Sequence, residues 1–202
     1  AVAFTEIPRL PRLCMVLEIE SGRNLVVARL RTRLVHLDPR HPREPEVAHL
    51  ILVPVPRSHV PVRTQEEQSV RVGVTLRDAT RDDIDAIARL HAESWRVAYR
   101  GMFSDAYLDG DVFSDRLAVW RERLTSPAAN QYVVVDDAGG AIDGFACAYG
   151  DDDPRWGTLL DNIHVRPGIK RRGGGTRLLA AIARWTLAAH PSSGLYLWVL
   201  AD

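Results

Sequence analysis

The sequence is short of cysteine, of net charge and of long apolar runs, and each shortage removes a class of protein. Two cysteines, Cys14 and Cys147, in 202 residues exclude a disulfide framework and a cysteine-rich zinc site. Lys+Arg and Asp+Glu are both 26, so bulk charge gives no hold on nucleic acid or an anionic membrane. No apolar run approaches the ~18 residues that a membrane span needs. The opening AVAFTEIPRLPRLCMV lacks the apolar core of about 7–15 residues that marks a signal peptide. The seven histidines form no i, i+4 pair with a nearby carboxylate helix, so no metal site is expected. These absences leave a soluble, cytoplasmic protein as the expectation, with no membrane partner and no nucleic-acid partner.

Aromatics are missing from one part of the chain. Residues 1–71 hold one of the fourteen aromatic residues, Phe4, and one of the fourteen glycines, but eight of the twelve prolines. Aromatics give a core much of its volume, so this part is poorly equipped to build its own. Strand-like stretches run over 14–19, 25–37 and 49–55, with a hairpin signal at Ser21-Gly22-Arg23-Asn24. Prolines 39, 42, 45, 54, 56 and 61 break anything longer. Residues 1–71 therefore read as an irregular, partly extended or disordered β/Pro-rich N-terminal extension. The alternating arginines of residues 23–33 suit a nucleic-acid arm less well than a solvated strand face. No internal repeat is visible.

From residue 72 the pattern turns regular. Val74–Arg77 reads as a strand. Thr80 with Asp83 reads as a helix cap. Ile84, Ile87, His91 and Trp95 then recur at helical spacing through residues 81–98. A second helix is predicted over 113–124, with Leu117, Trp120 and Leu124 inward. Strands follow at 131–136, 141–149 and 158–166, the first two joined by Asp137-Ala138-Gly139-Gly140. A helix over 176–189 has Leu178, Ile182, Trp185 and Ala189 on one stripe, and Leu195–Leu200 is a last strand. The order is strand, two helices, three strands, helix, strand.

One segment carries chemistry: Ile163-His164-Val165-Arg166-Pro167-Gly168-Ile169-Lys170-Arg171-Arg172-Gly173-Gly174-Gly175-Thr176-Arg177. A strand ends, a basic loop leads into three glycines, and a helix begins. Glycines allow close backbone approach to a ligand. A helix start adds unpaired N–H donors and about half a positive charge. Five basic residues and no acid lie between Arg166 and Arg177. The pattern asks for a phosphate or pyrophosphate. Lys170 precedes the glycines, where a Walker A loop has it after them. The glycine spacing also fails the dinucleotide G-x-G-x-x-G.

Lys170-Arg171-Arg172-Gly173-Gly174-Gly175, with Val165-x-Pro167 before it and Leu178-Leu179 after it, resembles the acetyl-CoA signature of the GNAT acyltransferase superfamily. Leu76-Arg77-x-Ala79-Thr80-x-x-Asp83, Ser94-Trp95, Tyr99-Arg100-Gly101, Trp120 and Leu160–Val165 extend the resemblance over residues 72–202. Lys170 departs from the usual Arg or Gln, and Arg171 and Gly174 from a frequent Gly and a frequent apolar residue. The resemblance implies an α/β fold with a mixed central sheet flanked by helices, and an N-acetyltransferase with acetyl-CoA as co-substrate and a primary amine of a small molecule or protein as acceptor. It implies that the backbones of Ile163 and Val165 pair with the pantetheine arm in a split between the fourth and fifth strands of the family fold. It also implies that Lys170, Arg171, Arg172, Gly173, Gly174, Gly175 and Thr176 hold the pyrophosphate.

Asp161 and His164 are the leading candidates for the catalytic base, against plainer readings as a strand-end carboxylate and a packed histidine. Strict alternation places Asp161 on one face with Ile163 and Val165, and His164 on the other with Asn162. Glu93 is a third candidate. Trp95, Tyr99 and Tyr107 are candidates to line the acceptor pocket, and core packing competes for Trp95. The acidic run Asp151-Asp152-Asp153 suits a solvated loop better than an amine trap, and Cys147 suits a small buried residue. The family pattern continues beyond the strand Leu195–Leu200 with a further helix and strands, so the resemblance also implies a C-terminally truncated domain and an impaired catalyst. The competing class is an acyl-CoA-binding or interaction module. The apolar edge Leu195-Tyr196-Leu197-Trp198-Val199-Leu200 would then need cover. The extension, a second copy in a homodimer, or further chain are the candidates for that cover.

Overall fold

The computed structural model describes residues 75–200 apart from Lys170, and upstream of them four strand segments, 12–21, 25–33, 46–47 and 53–56. The upstream strands are β1 (Arg12–Ser21), β2 (Leu25–Arg33), β3 (Glu46–Val47) and β4 (Val53–Pro56). The rest of the chain adds β5 (Thr75–Asp78), α1 (Ile84–Ala98), α2 (Asp105–Asp109), α3 (Val112–Thr125), β6 (Gln131–Asp137), β7 (Ile142–Asp153), β8 (Gly157–Val165), α4 (Gly174–Ala189) and β9 (Leu195–Leu200). The sheet order is β3-β2-β1-β9-β8-β7-β6-β5, with β4 on β2. β5 to β8 are antiparallel neighbours, while β9 runs parallel to β8. This is the expected mixed α/β fold.

Alternation along the central strands sorts the core onto two faces. Val134, Ala146, Ala148 and Leu160 pack against Leu178 and Ile182 of α4. Val133, Val135, Phe145 and Cys147 pack against Ile87, Leu90 and Trp120 of α1 and α3. A third cluster, Ala92, Trp95, Leu108 and Val112, lies where α2 meets α1 and α3.

Asp83 Oδ2 accepts from the Thr80 N–H (2.7 Å) and hydroxyl (3.1 Å), and Arg77 clamps both carboxylate oxygens at 2.8 Å. A 3-10 turn, Arg81–Asp83, precedes α1 where a single helix was expected. The short α2 was not expected; the Ser104 hydroxyl caps it by accepting from the Tyr107 N–H (3.3 Å). The stripe of α4 differs at its end: Ala189 is exposed and Thr186 is buried in its place. β7 runs on to Asp153, so the acidic run is a strand end where a loop was expected, with Asp151 and Asp152 exposed as expected. Asp151 pairs with His190, Asp152 accepts from the Tyr196 hydroxyl, and Asp153 accepts from the Arg155 N–H, all at 2.5–2.7 Å.

Two irregularities shape the sheet beside the glycine segment. Cys147 lies opposite Asn162 while Ala148 lies opposite Leu160, which leaves Asp161 as the extra residue of a β-bulge. And β8 pairs with β9 only at Thr158↔Leu195 and Leu159↔Tyr196, after which the two strands part. The far edge of β9 is covered by β1, antiparallel from Arg12↔Leu200 to Leu17↔Leu195. Of the three covers expected for that edge, the structure has the extension.

Candidate active site

The glycine segment leads from β8 through a 3-10 turn, Pro167–Ile169, into α4. Arg171 and Gly173 have φ of 68° and 80°. The left-handed turn at Gly173 is the N-cap of α4. The first intrahelical bond runs from the Arg177 N–H to the Gly173 carbonyl, so the N–H groups of Gly174, Gly175 and Thr176 are donors without a helical partner. Gly174 is buried, and a Cβ there would sit 3.2 Å from Asp136 Oδ2 and 3.5 Å from the Val165 methyls. The helix start therefore lies tight against β6 and β8.

The basic residues of this segment divide. Arg177 turns inward and donates to Asp136 at 2.6 Å; Asp136 is 1% exposed. Arg166 donates to the Ile142 carbonyl at 2.6 Å. Arg171 and Arg172 are exposed and make no ion pair among the described residues. The acid-free stretch in sequence thus has an acid beneath it in space. Lys170 lies outside the described residues.

Ile163 and Val165 face α4, and past Leu159 the edge of β8 toward β9 carries no registered pairs. The bulge corrects the predicted face of Asp161. Asn162 and His164 lie opposite Cys147 and Phe145, on the α1/α3 side. The extra residue brings Asp161 to that side as well, where its Oδ2 accepts from Arg123 of α3 at 2.6 Å and from the Asn162 amide. Asp161 and His164 therefore share a side, and Asp161 does not share one with Ile163 and Val165. Glu93 is on the exposed face of α1.

Around His164 lies a ring cluster that the sequence reading did not assemble. His91 and His164 have ring centroids 4.6 Å apart, with Phe145 5.5 and 5.2 Å from them. Trp95 meets His91 edge-on at 5.4 Å, Tyr99 at 5.1 Å, and stacks with Phe103 at 5.5 Å. The Trp120 indole donates to His91 Nδ1 at 2.9 Å. An indole N–H only donates, so Nδ1 is the acceptor and neutral His91 carries its proton on Nε2. Burial, and the charges of His164, Arg116 and Arg123, hold His91 well below its ordinary value of 6.5. Burial raises Tyr99. Burial, then the bond to Asp115, pushes Tyr107 up to about 12; its hydroxyl donates to Asp115 at 2.8 Å. Burial likewise pushes the Cys147 thiol up to about 12, leaving a protonated core residue.

Arg116 and Arg123 were also not singled out from the sequence. The Arg116 guanidinium lies 4.2 Å over the Trp95 ring and Arg123 5.3 Å from Trp120. A usable signal exists, because Arg116, Trp120 and Arg123 follow i, i+4, i+7 and so share a helix face. Among the described residues no group of three or more His, Cys, Asp or Glu could hold a metal ion, and no helix is long and apolar enough to cross a membrane.

Sequence comparison finds a relative in Bacillus subtilis (strain 168), the uncharacterized N-acetyltransferase YuaI, 29% identical over 130 residues that cover 63% of this chain and 72% of the relative. Among solved structures, the PaiA N-acetyltransferase from Thermoplasma acidophilum in complex with coenzyme A is similar with a TM-score of 0.48 and 15% identity, over 58% of this chain and 74% of that one. The aminoglycoside N-acetyltransferase AAC(6')-Iy in complex with CoA is similar with a TM-score of 0.48 and 21% identity, over 62% and 76%. Residues 85–202 match the acetyltransferase (GNAT) family. That segment is more than half of the 202 residues and holds β6 to β9 and the glycine turn into α4, and the chain belongs to this family.

Proposed function

We propose that the chain is an N-acetyltransferase that moves an acetyl group from acetyl-CoA to a primary amine. The observation that carries this reading is the parting of β8 from β9 directly beside the glycine-capped start of α4. The open edge of β8 at Ile163 and Val165 offers backbone groups to the amides of a pantetheine arm. The N–H groups from Arg171 to Thr176, with the exposed Arg171 and Arg172 side chains, offer donors to a pyrophosphate. Gly174 fits this use, since a side chain there would push the helix start off β6. Acetyl-CoA supplies the thioester; the chain orients it and the acceptor and takes a proton from the ammonium, so that the free amine forms the N–C bond while the C–S bond breaks and CoA leaves as the thiolate, which is protonated to the thiol. The Asp161 carboxylate is held by Arg123 and Asn162, and we place the proton transfer at His164, in the ring cluster with His91 and Phe145. Asp161 is then a positioning residue that fixes Arg123 and the bulge.

Calorimetry tests the cofactor site. Gly173→Val should strain the left-handed turn and weaken CoA by tenfold or more, about 1.4 kcal/mol. Equal affinity in both proteins would remove the basis for the site. The engaged Asp161 favours a second reading, a CoA-binding module without turnover. Thiol release from acetyl-CoA in the presence of amines separates the two, because only the enzyme shows it.

A further inference from the structure

Arg116 is 6% exposed and makes no ion pair with any described carboxylate. Its Nε–H is buried without an acceptor. The nearest acids are committed elsewhere: Asp115 accepts from Tyr107, and Asp161 from Arg123 and Asn162. The Tyr107 hydroxyl lies beside the guanidinium and Trp95 stacks on it, but neither takes up the Nε–H. A buried guanidinium without a counter-charge is costly. Beside it, His91 is 1% exposed, and its Nε2–H, the proton placed there by the Trp120 bond, also has no acceptor. Both groups border Trp95, His91 at its edge and Arg116 on its face. Both lie on the same side of the sheet as His164. Two buried N–H donors, Arg116 Nε–H and His91 Nε2–H, are thus left without an acceptor on the His164 side of the sheet.

We propose that Arg116, with His91 Nε2–H, forms a subsite for the carboxylate of the acceptor, and that the acceptor is a free amino acid. This inference rests on the acetyltransferase reading of the same site. A planar carboxylate matches the guanidinium fork, two N–H donors to two oxygens. The Asp161 carboxylate is near enough to act on Arg116 electrostatically. That carboxylate is held by Arg123 and Asn162, so the acceptor's carboxylate would lie toward α3 and its amine toward His164 of β8.

The test compares amino acids with their carboxamides, which keep size and amine but lose the anion. Binding is read by saturation-transfer NMR without CoA, and transfer by thiol release with acetyl-CoA. At least one amino acid should bind and be acetylated, with kcat/KM about a hundredfold above its carboxamide. Arg116→Lys should lower kcat/KM for the acid tenfold or more and leave the carboxamide within twofold. Arg116→Met should abolish the preference. Equal use or binding of acid and carboxamide, or an equal effect of Arg116→Lys on both, overturns the proposal. If a variant does not fold, as read by its melting transition, the wild-type acid and carboxamide pairs decide alone. Loss of CoA binding would overturn the acetyltransferase reading, while NMR binding of the acids would still decide the subsite.

Discussion

His91 shows how one hydrogen bond settles the state of a buried group. With Nδ1 accepting from Trp120 and burial opposing charge, the native protein holds His91 neutral. The unfolded chain takes up a proton as pH falls through about 6.5, and the native state does not follow. Stability should therefore be flat above that value and fall below it, with a slope from this group of up to ~1.4 kcal/mol per pH unit. Urea unfolding from pH 8 to 5 should show the fall, and His91→Gln should reduce its slope. An unchanged slope would mean that His91 is charged in the native state. Cys147 gives a second reading at this scale. Buried, with its thiol pushed up to about 12, it should resist iodoacetamide at pH 8 in the folded protein and react after unfolding, measured by mass in a Cys14→Ser background.

The start of α4 is the element on which the proposed cofactor site depends, and it is held from below by Asp136 and Arg177. Replacing Arg177 by Met would leave Asp136 buried without its partner. A fully buried pair costs about 3–5 kcal/mol to break, and less here because the Arg177 side chain is 38% exposed, so a loss of roughly 2–3 kcal/mol is expected. Chemical denaturation measures it. CoA affinity should fall as well, because the helix start loses its seat; unchanged affinity would separate the pair from the site. This arrangement was not legible in the sequence. Asp136 and Arg177 are 41 residues apart, and the spacing of the glycine segment shows only five cations without an acid. The strands over 131–136 and 141–149 were legible as apolar runs, because a strand buried on both faces shows a continuous apolar stretch, while which residue faces which helix layer was not. The bulge at Asp161 was not, since nothing in Leu160-Asp161-Asn162 marks an unpaired position. One inserted residue reversed the predicted side of the carboxylate while leaving His164 on its expected side. Deleting Asp161 should restore regular pairing with β7, remove the Arg123 contact and lower thiol release by more than tenfold while CoA still binds.

At the scale of the whole molecule, the fold class was visible from the element order together with the glycine-segment resemblance, and the arrangement of the sheet's far half was not. The prolines and the near-absence of aromatics in residues 1–71 describe a segment unable to form a core, and they say nothing of where it docks. The structure places β1 on β9, so the boundary near residue 71 separates compositions and does not separate sheets. If this pairing shields the apolar edge of β9, a chain starting at residue 72 should sediment as larger species at concentrations where the full chain does not. Identical sedimentation of both would show that the edge needs no cover.

The partners in that pairing lie far apart in synthesis. Arg12 leaves the ribosome early and Leu200 late, and at about 5–20 residues per second the wait between them is on the order of ten seconds or more. For that interval β1 and β2 have each other and no sheet to join, while β5 to β8 can already assemble around α1 and α3. Closing so long a loop is slow even when its thermodynamic cost is modest. A newly made chain therefore passes through a period in which a two-stranded ribbon and a sheet each carry an open edge meant for the other. Its yield in a cell should depend on chaperones that hold open edges apart, more than on the stability of the finished protein.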